Sequence, residues 1–336
     1  MVGAALVAGV AYSGGTAADP PVPRGFPGPV PAFMTRTGDD GDIGATAAGA
    51  FRPDWRAAMR RDRRWLDRAR PLGRGAPRWA RRMYRRSLLV LRALVDPRSG
   101  AAVAAARPGW AYVWPRDAGA VAIALASAGY RGEARRVVRF LLALDLDAAA
   151  RFDEDGEPVE GRAAQGDAAG WVAAAAQGAG IPVRGSRHRK IEASSAAWRG
   201  RADYQEKDAG DYLGNAIAST ALGDPFVRRR NDGSADEWRR WIARTLGMPR
   251  GLARVAGDPG SGLDSAAAWA VRPFSTPALY PLVRHTLLRL VAERESRFGL
   301  VPSENWDGGE DPWTAPTAWT AWALAALAGE ERVLDP

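Results

Sequence analysis

Carboxylates must carry any acid–base chemistry of this chain. It holds two histidines, His188 and His285, and no cysteine. That excludes a thiolate metal site and a multi-histidine cage, and leaves a histidine-based triad without support. No metal or cofactor is expected. Polar clusters recur at Arg116-Asp117, Gln165-Gly166-Asp167, Gln205-Glu206, Leu263-Asp264 and Glu304-Asn305. Aromatic residues crowd the two ends of this series: Trp110, Tyr112 and Trp114 at the first, Trp306 and Trp313 at the last. Flat aromatic faces stack on the C–H faces of pyranose rings, and carboxylates bind sugar hydroxyls, so the combination points to a carbohydrate. Taken singly, the clusters have plainer explanations. Asp117, Asp167 and Asp264 could each cap a helix. Trp238, Trp241 and Trp269 read as core. His285 falls in a helical run and reads as structural. His188, between Arg187 and Arg189-Lys190, reads as part of a solvated loop.

Helices must position these clusters. From Arg52 onward the apolar pattern is helical, with no alternating strand run, so the class is all-α. Two kinds of helix are predicted. One is apolar nearly all round: 118–128, 171–176, 216–222, 265–271 and 316–328. The other carries a single stripe. In 133–144, Ala134, Val137, Val138, Leu141 and Leu142 line one face while Arg135, Arg136 and Arg139 point away. Trp238, Trp241, Ile242 and Leu246 mark a second stripe; Leu279, Leu282, Val283, Leu290 and Val291 mark a third. A helix apolar all round must be covered, and a striped one lies at the surface. The two kinds largely alternate, as inner and outer layers of an α/α barrel of about six hairpins would require. The segments 55–66 and 78–95 are then outer or closing helices. The polar clusters fall before or at the starts of inner helices, so one rim of such a barrel would gather them.

Composition allows this architecture. The chain has 336 residues, 46% hydrophobic and 25% charged, enough for one large domain or two small ones. Its net charge of +9 is almost wholly arginine, because Lys190 and Lys207 are the only lysines. The arginines are spread along the chain on polar helix faces rather than gathered with lysine on one surface, so a nucleic-acid partner is not expected. No apolar run reaches the length of a membrane span, and a monomer is expected. Residues 1–50 hold a small apolar stretch followed by a Pro/Gly/Ala-rich linker. The stretch resembles a secretory signal but lacks a basic start, and a tail without packing fits it equally. A signal would place the protein outside the cell or near a membrane, and a tail would leave it cytoplasmic. Residues 51–330 form the predicted catalytic domain and 331–336 a C-terminal tail.

The motifs also carry a family resemblance. The stretch from Arg86-Ser87-Leu88 to Gly100-Ala101, followed by Trp110-Ala111-Tyr112-Val113-Trp114-Pro115-Arg116-Asp117, resembles the opening of the glycoside hydrolase family 15 catalytic domain, the family of the glucoamylases and of some trehalases and glucodextranases. In the same order, Gln165-Gly166-Asp167 with Gly170, Asp203-Tyr204-Gln205-Glu206, Leu263-Asp264, Gly299 to Asp307, and Pro316 to Thr320 resemble its later elements. The likeness covers roughly 78–327. It implies an (α/α)6 barrel and an exo-acting, inverting hydrolase that frees glucose from the non-reducing end of an α-glucan oligosaccharide or glucoside. Glu206 would be the general acid and Glu304 the general base, while Arg116 and Asp117 would hold the terminal glucose. Trp110, Tyr112, Trp114, Gln165, Asp167 and Trp306 would complete the sugar site, and Glu192 is a second candidate for the acid. Two positions depart from the family pattern: Gln205 stands where it usually has Trp, and Asn305 where it has Gln. They carry the alternative, a barrel that binds sugar or regulates without cleaving.

Overall fold

A computed structural model describes residues 46–47, 50–51, 55–105, 110–198, 200–201, 211–223, 234–306 and 309–334. The signal-like stretch and Gln205-Glu206 therefore lie outside the described residues. The chain divides into two compact units: Met1–Leu144 with Arg151–Val159 and Gly178–Ile181, and Asp145–Ala150 with Glu160–Gln177 and Pro182–Pro336.

The first unit opens on a two-stranded antiparallel pair, β1 (Thr46–Ala47) and β2 (Ala50–Phe51). Helices α1 (Trp55–Leu66) and α2 (Arg78–Leu94) follow. In α2, Arg81, Arg82, Arg85 and Arg86 are exposed, while Leu88, Leu91 and Leu94 are buried at helical spacing. Each buried leucine stabilises the fold by roughly 1.5–3 kcal/mol. Helix α3 (Pro115–Ser127) starts at a proline, whose missing N–H would have had no helical partner there. Trp114 before it is held extended, as a residue preceding proline prefers. Helix α4 (Arg131–Leu141) packs on α3 as the second arm of a hairpin. The two have the expected characters. α3 buries Ala118, Ala120, Val121, Ala122, Ala124 and Leu125; α4 buries Ala134, Val137, Val138 and Leu141 and exposes Arg135 and Arg139. Tyr130 closes the unit by stacking on Trp65 at 3.8 Å and donating to the Trp65 carbonyl at 2.7 Å.

The second unit holds α5 (Ala168–Ala179, through Gln177), α6 (Ser186–Ala197), α7 (Leu213–Ser219) and α8 (Ser234–Thr245). A three-stranded antiparallel sheet comes next: β3 (Gly247–Met248), β4 (Gly251–Val255) and β5 (Asp258–Leu263). Helix α9 (Tyr280–Arg294), the pair β6 (Glu295–Ser296) and β7 (Gly299–Leu300), and α10 (Thr314–Leu334) complete it. Trp171 of α5, 1% exposed, is its aromatic centre, with Trp269, Phe274 and Trp319 packed around it at 5.1–6.0 Å. Gly170 lets α5 meet α7 backbone to backbone, since a Cβ there would overlap the Ala218 carbonyl.

Four expectations are corrected. The chain is mainly helical, yet β3–β5 form a real sheet. Its longest strand, Asp258-Pro259-Gly260-Ser261-Gly262-Leu263, is too rich in turn residues to show an alternating pattern. Residues Ser265–Ala270 form a 3-10 turn instead of an inner α-helix; Pro273, just beyond, cannot continue a helix. Helix α10 is not covered all round. Thr320, Ala323 and Leu327 are buried in one stripe, while Ala321, Ala325 and Ala328 are exposed. Alanine carries little apolar surface, so an alanine face tolerates water that a leucine face would not. His188 lies on α6 rather than in a loop, its side chain 17% exposed and its Nδ1 3.0 Å from Glu192.

Candidate active site

In the first unit the sequence places Arg116 and Asp117 in the first turn of α3, directly after Trp114-Pro115. Arg116 Nε lies 3.8 Å from Asp117 Oδ2. Packing around Asp117 raises its carboxyl above the ordinary value, while Arg116 and its own backbone N–H pull the other way. The side chain is still 43% exposed, so the ion pair is partly open to solvent. Asp117 does not stand at the N-cap position, which belongs to Trp114. Trp110, Tyr112 and Trp114 form one cluster, with Trp114 buried and its ring centroid 5.7 Å from Trp110 and 6.3 Å from Tyr112. Arg151 lies over Tyr112 at 4.7 Å from the ring centroid. Trp110 and Tyr112 remain half-exposed.

In the second unit two of the predicted clusters, forty residues apart, are drawn together. Ser265 N–H donates to the Pro302 carbonyl at 2.9 Å and Glu304 N–H to that of Leu263 at 3.0 Å, with Asp264 bridged to Ser303. This pairing turns the Glu304 side chain onto the Leu263 N–H, which donates to its Oε2 at 2.9 Å. Oε1 accepts from Arg250 Nη2 at 2.6 Å. Gly262, at φ +82°, leaves the room: a Cβ there would stand 2.9 Å from Oε2. Glu304 is 12% exposed. Burial, and a hydrogen bond with Glu293, raise its carboxyl; the Leu263 N–H and Arg250 oppose them. A carboxylate raised in this way is a better base near neutral pH.

Asp264 is a cap, as its plainer explanation has it: Oδ1 accepts from Ala266 N–H at 2.7 Å at the start of the 3-10 turn. It is more than a cap, for Oδ2 accepts from the Tyr212 hydroxyl at 3.3 Å and lies 3.7 Å from Arg254 Nε. Burial raises its carboxyl against these three partners. Arg254 also donates to the Asn305 carbonyl at 3.3 Å, and Asn305 Nδ2 donates to Gly260 O at 3.0 Å. The β4–β5 hairpin therefore braces the segment that bears Glu304. Gln165 and Asp167 lie buried just before α5. Trp306 meets Trp313 edge to face at 5.3 Å.

Sequence reasoning missed Arg250, Arg254, Tyr212 and Glu293. A signal existed for the two arginines. Pro249-Arg250-Gly251 and Gly257-Asp258-Pro259-Gly260 are turn sequences flanking Leu252–Val255, which is a hairpin signature. Glu192, the second candidate for the acid, sits on α6 paired with His188.

Residues 79–164 match the family model described as glycosyl hydrolases family 15. They include the Trp110–Asp117 segment. The matched residues, about a quarter of the chain, are similar to the family's catalytic domain. Among solved structures, the chain is similar to a wild-type glycosidase at 19% identity and TM-score 0.58, covering 73% of this chain and 78% of that one. A glycosidase variant in complex with glucose matches over the same shares, at 19% identity and TM-score 0.56. A bacterial glucoamylase complexed with acarbose matches at 17% identity and TM-score 0.52, covering 68% of this chain and 42% of that chain. No match was found among curated proteins. These likenesses bear out the fold class expected from the helical pattern, mainly helical and of the (α/α)6 type.

Proposed function

We propose that residues 51–330 form an exo-acting, inverting glycoside hydrolase that releases glucose from the non-reducing end of α-glucosides. The observation that carries the reading is the setting of Glu304. Its carboxyl is shielded, anchored by one backbone N–H and one guanidinium, and raised toward the range in which a general base works. Glu304 activates the water, and Glu206 protonates the glycosidic oxygen. Arg116 and Asp117 hold the terminal glucose, with Trp110, Tyr112, Trp114, Gln165, Asp167 and Trp306 around it. Inversion requires the two carboxyls to stand about 6.5–9.5 Å apart, leaving space for water between base and anomeric carbon. The substrate is an α-1,4 or α-1,6 glucan oligosaccharide or trehalose, and the protein acts as a monomer without a cofactor.

Proton NMR of a fresh reaction tests this. β-Glucose as the first product supports inversion with Glu304 as base; early α-glucose overturns it. A second reading is a barrel that binds sugar without cleaving it. It draws on Gln205 and Asn305, and on the ion pair that occupies Glu304 Oε1. Absence of glucose from maltose, isomaltose and trehalose, with binding retained, would decide for it.

A further inference from the structure

Among the described residues, Glu304 faces charge from two elements: Arg250 on the turn between β3 and β4, and Glu293 in the last turn of α9. Arg250 Nη2 reaches both carboxyls, at 2.8 and 3.1 Å from the two Glu293 oxygens and 2.6 Å from Glu304 Oε1. Arg289, one turn earlier on α9, donates to Glu293 Oε1 at 2.9 Å. On the other side the Leu263 N–H holds Glu304 Oε2. Neither Arg250 nor Glu293 belongs to the sugar site described above.

We propose that Arg250 and Glu293 are positioning residues for Glu304: the guanidinium bridges the two carboxyls, and the trio sets where Glu304 points and how readily it exchanges a proton. The proposal rests on Glu304 being the general base. Two carboxyls this close resist ionising together, and a shared cation relieves that resistance. Glu293 is held low, first by its hydrogen bond with Glu304 and then by Arg250 and Arg289, so it is the member that stays ionised. Glu304 keeps the proton longer. When Glu304 leaves Arg250 to take a proton from water, Glu293 remains as a counter-charge for the guanidinium. Arg250 is therefore never stranded, and Glu304 is free to move between an anchored and a working position.

The experiment compares pH profiles of kcat/KM on an α-glucoside for wild type, Glu293→Gln, Arg250→Ala and Arg250→Lys. In parallel, the Glu304 carboxyl is followed by carbon-13 NMR titration, assigned with Glu304→Gln. Glu293→Gln removes the competing carboxylate, so the acid limb and the titration should both move to lower pH. Arg250→Ala removes the shared cation, so both should move to higher pH. Arg250→Lys should restore part of that shift, and KM should change little in any variant. A shift of one pH unit reads as a tenfold change in rate on the acid limb. Unmoved profiles, or shifts in the same direction for both positions, overturn the proposal, whatever happens to the melting temperature. Opposite NMR shifts in a protein that cleaves nothing would leave the electrostatic coupling standing and sink the catalytic reading instead.

Discussion

At the Glu304 carboxyl, geometry and chemistry can be separated by substitution. Glu304→Gln keeps the shape and the Leu263 contact, so sugar binding should stay near wild type while hydrolysis collapses. Glu206→Gln should collapse hydrolysis only when the leaving group needs a proton. An aryl glucoside with a good leaving group should partly spare the Glu206 variant but not the Glu304 variant. Equal losses on both substrates would remove Glu206 as the acid and turn attention to Glu192. Asp117→Ala tests the proposed contact of the first unit with the terminal glucose. A hydrogen bond to a charged group contributes on the order of 1.5–3 kcal/mol. Because the Asp117 side chain is 43% exposed, the low end applies, roughly tenfold in kcat/KM. A folded variant with unchanged kinetics would reduce Asp117 to a contributor to helix α3. Arg116 and Asp117 were legible as a pair because they adjoin in sequence, and they lie 3.8 Å apart. Arg250 and Glu293 were not, because their meaning arises only when a turn and a helix end converge on Glu304, 54 and 11 residues away in sequence.

Among the elements, the striped helices could be read most directly. Val137, Val138 and Leu141 recur at helical spacing and are buried, and Arg135 and Arg139 turn outward, while Arg136 is only partly exposed. The β4–β5 hairpin was hidden by glycine, which marks turns and weakens any strand pattern. Two glycines give tests at this scale. Gly170→Ala would push α5 from α7 at the Ala218 carbonyl, and overpacking of this kind costs about 1–3 kcal/mol. A melting temperature equal to that of wild type would show that the crossing relaxes freely. Gly262→Ala forces a side chain into φ +82° and against Glu304 Oε2. The backbone strain costs about 1–3 kcal/mol. Activity should fall further than this if Glu304 is the proposed base, since its carboxyl is displaced. Loss of stability with kcat intact would show that Glu304 does not depend on the hairpin.

For the whole molecule, the carboxyls set a pH dependence of stability. Burial raises Asp117, Asp264 and Glu304, whereas Glu293 is lowered. Between the unfolded carboxyl value near 4 and the raised folded values, the native state binds more protons than the unfolded chain. Stability then falls as pH rises through that window. The domain should resist denaturant better at mildly acidic pH than at neutral pH, and Asp264→Asn should flatten the slope. Below about pH 4 the remaining carboxylates are lost and the excess of arginine repels itself, so stability should fall again. A midpoint that climbs steadily from pH 5 to 8 would contradict the assignment of these shifts.

The near-absence of lysine has a practical consequence. Guanidinium groups remain protonated and unreactive where amines acylate readily. An amine-directed ester therefore meets two side chains. Lys190 stands on α6, 54% exposed and 3.4 Å from Asp145. Lys207 follows Glu206 in the sequence. Once the more acidic α-amino group is blocked, a fluorophore or tether can thus be set at one of these two side chains by replacing the other lysine with arginine, without engineering a cysteine. If the label at Lys207 is slowed by sugar and that at Lys190 is not, the same reagent reports occupancy beside Glu206.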